Sequence, residues 1–256
     1  MKRNGLTPVV LALGLLTLTA CGTTTAPKAA VTSPVTAKPV TVFAAASLKE
    51  ALTEIGAAYE RTHPGAKVTL SFAGSQALVA QVQQGAPADL LATADTASAQ
   101  SVAKELAGAA QVIARNQLAI ITAPGNPLKI ARLADLAKRS VKVVLAGPTV
   151  PAGKAARKAL SAAGVTVKEV SDEPDVRAVV AKVRLGEADA GIAYATDVQA
   201  SKGAVAGVTL PGISNSYPAA VLSGAAHAAT ARDLLAFLLS PDGQAILASY
   251  GFLPPT

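Results

Sequence analysis

Val40-Thr41-Val42-Phe43-Ala44-Ala45-Ala46-Ser47-Leu48-Lys49-Glu50-Ala51-Leu52 changes its period partway along. Residues 40–44 are β-branched or apolar throughout, the pattern of a strand buried on both faces. From there Leu48, Leu52, Ile55 and Tyr59 recur at the spacing of one helix face. A strand that runs directly into a helix, with a small polar residue at the joint, is the building unit of an α/β sheet.

The unit recurs down the chain. Residues 67–71, 89–92, 118–123, 141–145 and 190–194 read as further strands. Helical spacing covers a segment around Leu78 and Val82 that stops near Gly85, then residues 97–106, 133–138, 152–163 and 176–186. The alternation predicts an α/β fold with parallel strands and right-handed crossovers. Towards the C-terminus it breaks, with a strand at 219–222 and two helices at 229–239 and 241–250, the second opened by Pro241. No internal repeat of fixed period is present.

Before this body comes a different kind of sequence. Lys2 and Arg3 precede an apolar run over residues 9–18 and then small residues up to Cys21, the layout of a secretory signal peptide over 1–20. The run is shorter than the roughly 20 apolar residues a membrane-spanning helix needs. Leu18-Thr19-Ala20-Cys21 resembles the bacterial lipobox, which makes Cys21, the only cysteine, the expected lipidation site and excludes an intramolecular disulfide. Residues 21–39 are rich in Thr, Ala, Pro and Ser without apolar period, so they read as a flexible tether. The expected product is an exported lipoprotein, anchored to a membrane and facing the periplasm or the cell exterior.

Half of the chain is apolar (51 %) but only 3 % is aromatic, so the core must rest on Ala, Val and Leu. Loss of Lys2 and Arg3 with the leader lowers the formal charge from +7 to +5. Nucleic acid is not an expected partner, because Lys/Arg clusters interleaved with aromatics are absent. A mild positive field suits small anions.

Four junctions put a strand or loop directly in front of a helix: Ala46-Ser47, Gly74-Ser75, Pro151-Ala152 and Asp175-Val176. Ser47 followed by Glu50 has the form of a capping box, and taken alone that is its simplest reading. The repetition argues for more. In α/β sheets strand ends and helix starts gather on one edge, where ligands bind. The free first-turn amides and the dipole make each helix start an anion site. Several converging starts would form a cage of neutral donors, suited to a fully deprotonated tetrahedral dianion whose oxygens need only accept. Asp175, the acid at these junctions, reads as a helix N-cap.

The stretches Val42-Phe43-Ala44-Ala45-Ala46-Ser47-Leu48, Ser71-Phe72-Ala73-Gly74-Ser75, Gly85-Ala86-Pro87-Ala88-Asp89-Leu90, Val150-Pro151-Ala152-Gly153, Asp175-Val176-Arg177, Gly191-Ile192-Ala193-Tyr194 and Tyr217-Pro218-Ala219 together resemble the periplasmic molybdate-binding component of bacterial ABC transporters. The match is collinear from about Val40 to Tyr250-Gly251-Phe252. It implies a two-lobed periplasmic-binding-protein-like fold of class II with a two-crossing hinge: lobe 1 over 40–116 plus 218–256, lobe 2 over 117–217. It also implies that Ser47, Ser75, Ala152, Val176 and Tyr194 hold the oxyanion. Tyr194 enters on the resemblance alone, since by itself it reads as a strand-end aromatic packed on the core. One departure is Gly74, where some relatives carry another small polar residue.

The implied ligand is molybdate, with tungstate sharing its charge and shape. Molybdenum is then the only metal expected, bound as the oxyanion, and no cofactor is expected. The implied partner is a membrane permease, and the protein is expected to be a monomer. The same fold binding sulfate or an organic acid is the nearest alternative; an organic carboxylate would call for an Arg clamp, for which Arg177 is the nearest candidate, though it reads first as a solvated or interlobe salt-bridge residue. A serine-dependent enzyme is more remote: a base would have to be His63 or His227, and no Gly-x-Ser-x-Gly phrase is present. A metal site lacks a His pair at ligand spacing, and no phosphate loop ending in Gly-Lys-Ser/Thr occurs.

Overall fold

The computed structural model describes residues 38–256. The leader, Cys21 and most of the tether lie outside the described residues. Eight strands form one sheet in the order β2-β1-β3-β8-β4-β7-β5-β6. They are β1 (Lys38–Ala45), β2 (Ala66–Ala73), β3 (Leu90–Ala92), β4 (Gln111–Thr122), β5 (Val143–Ala146), β6 (Glu169–Glu173), β7 (Ala190–Tyr194) and β8 (Ala206–Val221). The helices are α1 (Lys49–Thr62), α2 (Ser75–Gln83), α3 (Thr96–Gln100), α4 (Pro151–Ala162), α5 (Val176–Arg184), α6 (Ala195–Ala200), α7 (Ala228–Leu239) and α8 (Pro241–Ser249).

The sheet is mixed, not all parallel. β1 pairs in parallel with β2 and β3, and β5 pairs in parallel with β6 and β7. Between these two parallel sets run the long β4 and β8, antiparallel to each other and to their outer neighbours β7 and β3. Each parallel set is a βα unit with its helix starts at the strand ends. β4 and β8 are the strands common to both, and their ladder shifts register at Val112/Ala114 and Gln117/Ala119.

The expected strand at 219–222 is only the end of β8. Pro211, Gly212 and Pro218 read as breakers, but β8 carries them through a ladder that is already irregular, where bulges tolerate proline. The helix expected over 97–106 is two short pieces, α3 and a 3-10 turn at Ala103–Glu105. The helix expected at 133–138 is a 3-10 turn, Leu133–Ala137. β6 and α6 were not anticipated. β6 is a polar edge strand with exposed Val170, and α6 spans six residues, so neither carries a full hydrophobic period.

β1 is packed on both faces. Val40, Val42 and Ala44 join the main core with Leu48, Leu52 and Ile55 of the following helical segment, whereas Phe43 joins a smaller cluster with Leu78 and Val82 of α2. This is why the opening strand shows no polar alternation: a central parallel strand has no solvent face. Among the described residues no helix is long and apolar enough to cross a membrane.

Candidate functional site

β1 ends at Ala45 and the chain turns at once into a 3-10 turn, Ala46–Leu48, that leads into α1. Ser47 sits inside this turn and makes no side-chain cap bond. The capping-box reading of Ser47 therefore does not hold, because the tight turn carries the residue past the cap position. Its hydroxyl lies 2.8 Å from Tyr217 Oη, and the residue is buried.

β2 ends at Ala73, and Gly74 delivers Ser75 as the first residue of α2. Ser75 Oγ accepts a hydrogen bond of 2.9 Å from the main-chain N–H of Ala94. The departure at Gly74 has a steric role: a Cβ there would come within 2.6 Å of Pro174 O. The glycine thus lets the start of α2 lie against the loop that opens α5, and Gln76 Nε2 donates to Pro174 O at 2.8 Å.

Pro151 opens α4, so Ala152 is its second residue. Asp175 caps α5 as expected, with Oδ1 accepting from Arg177 N at 2.8 Å and Ala178 N at 3.0 Å. The cap leaves the N–H of Val176 untouched. First-turn amides such as those of Ala152 and Val176 have no partner within their own helix.

Tyr194 ends β7, with its main-chain N–H donating to Asp197 Oδ2 at 3.0 Å. Its Oη accepts from Asn215 Nδ2 at 2.9 Å, and the same nitrogen donates to Ala94 O at 3.0 Å. Its ring meets that of Tyr217 edge-on, centroids 5.9 Å apart. Burial, then the neighbouring Tyr217 and Asp197, push the Tyr194 hydroxyl well above its ordinary value, so it remains a donor.

These bonds join three of the expected residues, Ser47, Ser75 and Tyr194. Ser47 reaches Tyr217, Tyr217 packs on Tyr194, and Tyr194 reaches Ser75 through Asn215 and Ala94. The α5 start is tied in by Gln76 on Pro174 and by the Arg177–Glu50 pair at 2.9 Å. The α4 start is tied in by the Lys154–Asp95 pair at 3.0 Å. Ser47, Ser75, Ala152, Val176 and Tyr194 are 6, 1, 3, 4 and 1 % exposed, so any ligand there would be cut off from water. Glu50 pairs with Arg177 and Asp95 with Lys154, and Lys49 is exposed, so the buried donors at the junctions are neutral hydroxyls and amides.

Sequence reading missed Asn215, Ala94, Tyr217 and Asn116. Asn116 is fully buried and donates to Thr196 Oγ1 at 2.7 Å and to Tyr217 Oη at 3.3 Å. Tyr217 stood in a recognised phrase without a role. Extending that strand backwards with its period of two would have aligned Ile213, Asn215 and Tyr217.

Both histidines line a cavity of about 810 Å³ with Tyr59 and Asp233, to which neither Ser47 nor Ser75 contributes. His63, expected in an exposed turn, stacks on Tyr59 at 4.0 Å and lies 3.4 Å from Asp233; His227 lies 3.5 Å from Asp89. Among the described residues no group of three His, Cys, Asp or Glu could hold a metal ion.

Comparison with known proteins agrees with this architecture. The model of a family described as bacterial extracellular solute-binding protein matches residues 40–253. The molybdate-binding protein ModA of Mycobacterium tuberculosis is 40 % identical over 257 residues, 98 % of this chain and 97 % of that one. A solved structure of the substrate-binding domain of a putative molybdenum ABC transporter from Clostridium difficile is 27 % identical with a TM-score of 0.64, over 84 % of this chain and 98 % of that one. The sulfate-binding protein SubI of M. tuberculosis shares the fold at 19 % identity and a TM-score of 0.77, over 85 % of this chain and 87 % of that one.

Proposed function

The chain belongs to the bacterial extracellular solute-binding protein family, and on that premise we propose that it is the substrate-binding component of an ABC importer for molybdate, with tungstate as a second ligand. One observation carries the reading: the starts of α2, α4 and α5 and the turn before α1 are tied together around buried, uncharged donors, while Glu50–Arg177 and Asp95–Lys154 neutralise each other. Ser47 and Ser75 would donate through hydroxyl and amide, Ala152 and Val176 through amides, and Tyr194 through its hydroxyl. Preorganised dipoles in a dry site are strong enough to hold a dianion without a counter-charge.

In this reading lobe 1 comprises 40–116 plus 218–256 and lobe 2 comprises 117–217, with β4 and β8 as the two crossings. The anion bridges the lobes and stabilises their closed arrangement by its greater affinity for it. The Arg177–Glu50, Lys154–Asp95 and Gln76–Pro174 contacts span the proposed boundary and would form on closure. A permease partner then distinguishes loaded from empty protein. Lipidation of Cys21 would hold this monomeric carrier at the membrane while residues 22–39 give it reach.

Sulfate is the second reading, favoured by the shared fold of the sulfate-binding protein. An organic acid is less well served, because Arg177 is spent on Glu50. Calorimetric titration with molybdate, tungstate, sulfate and phosphate separates these. Tight molybdate or tungstate binding with sulfate silent is expected. Preference for sulfate, or silence from all four, would overturn the assignment. A Cys21→Ser variant should move to the soluble fraction of cells, and one still sedimenting with membranes would defeat the anchor.

A further inference from the structure

We propose that Asn215 is a positioning residue that sets anion specificity, by filling the acceptor position of the Tyr194 hydroxyl so that its hydrogen is left to donate, while the main-chain N–H of Ala94 takes one acceptor position of Ser75. The inference rests on the oxyanion reading above and adds to it the reason a protonated anion would be refused.

Ala94 O can only accept. The Asn215 side-chain atom 3.0 Å away must therefore be its nitrogen, so the amide has one permitted orientation. That same nitrogen lies 2.9 Å from Tyr194 Oη, and its second hydrogen is committed there. A phenolic oxygen has two favourable in-plane positions, one for its hydrogen and one for an incoming donor. With the incoming position occupied by Asn215, the Tyr194 hydrogen must take the other.

Ser75 is constrained by the same residue from its other side. Ala94 N–H can only donate, and it lies 2.9 Å from Ser75 Oγ, so the serine hydrogen cannot point at Ala94. Ala94 thus constrains two hydroxyls, barring one direction to the Ser75 hydrogen through its N–H and orienting Tyr194 through its carbonyl by way of Asn215. Ala94 is 4 % exposed and its bond to Ser75 is buried, whereas Asn215 is half-buried. A site with oriented hydrogens matches an anion whose oxygens are all bare. An anion that carries a proton presents a donor to a donor, which costs several-fold to orders of magnitude in affinity. Molybdate and sulfate are bare near neutral pH, whereas phosphate carries at least one proton.

The test is a titration of the purified full-length protein at pH 6 with molybdate and with inorganic phosphate, for wild type, Asn215→Asp, Asn215→Leu, Tyr194→Phe and the Asn215→Leu/Tyr194→Phe double variant. In Asn215→Asp the side chain can take the Tyr194 hydrogen instead of giving one, so the molybdate-to-phosphate affinity ratio should fall by about tenfold or more. Asn215→Leu should weaken molybdate several-fold, and in the Tyr194→Phe background it should have no further effect, since the residue acts through that hydroxyl. An unchanged ratio in Asn215→Asp, or additive losses in the double variant, would overturn the proposal while leaving molybdate binding intact. If the wild type binds neither anion, the oxyanion reading itself fails, and this inference with it. Asn215→Leu and the double variant decide the matter should Asn215→Asp not fold.

Discussion

Removal of the Ser75 hydroxyl tests stability and binding in one variant. In Ser75→Ala the helix loses nothing at its cap, because Gly74 occupies that position and Ser75 makes no cap bond. What it loses is the acceptor for Ala94 N–H, in a place where Ser75 is 1 % and Ala94 4 % exposed. A buried donor left without a partner costs about 1–3 kcal/mol. For a body of this size each kcal/mol lowers the unfolding midpoint by about 2–4 °C, so a fall of a few degrees to about 10 °C is expected by calorimetry. The same hydroxyl is proposed to donate to the anion, and losing it should weaken molybdate by about 1–3 kcal/mol, or roughly 5- to 150-fold in Kd. A lower midpoint with unchanged Kd would make Ser75 purely structural. If neither changed, the Ala94 bond would carry no energy and the reasoning built on it would fail.

Gly153→Ala should destabilise the fold by about 3 kcal/mol or more, because its Cβ would lie 2.1 Å from Gly147 O and 2.2 Å from Ala146 O, main-chain atoms with nowhere to go; an unchanged denaturant midpoint would refute this. Arg177→Ala breaks a partly exposed pair with Glu50, so stability should change by only about 0.2–1 kcal/mol, but the bound anion should dissociate several-fold faster in stopped-flow measurements if the pair holds the closed arrangement. Equal off-rates would remove it from closure. Burial, opposed by the Tyr194 N–H and Arg177, raises the Asp197 carboxyl from 3.8 to about 7. Its neutral form favours the fold, so this contribution is complete below about pH 4 and is lost as pH rises to about 7, a span of about 4 kcal/mol. Asp197→Asn should flatten that part of the stability-versus-pH curve, and a parallel curve for the variant would contradict the burial argument.

The parts legible in the sequence were those written as local periodicity. Strand β7 was bounded correctly over 190–194, and α7 and α8 to within a residue or two, because a buried strand and an amphipathic helix each repeat on a scale the chain displays. Asp175 was legible as a cap for the same reason, since a cap is a contact between residues two and three apart. Ser47 shows where this fails. Its capping phrase was genuine, but the 3-10 turn, which the phrase does not encode, gave its hydroxyl to a tyrosine 170 residues away.

By itself the sequence determined the α/β class, the starts of α2, α4 and α5 and the supply of uncharged donors at them, since these follow from neighbours along the chain. The tertiary structure alone decided that β4 and β8 would run antiparallel through the middle of the sheet, and hence which donors meet. It also decided which donors reach the Ser75 and Tyr194 hydroxyls, from Ala94 and Asn215. Hydrogen-bond direction is set by which partners arrive, and those partners come from strands and loops separated by up to 121 residues, a distance over which no local pattern carries information.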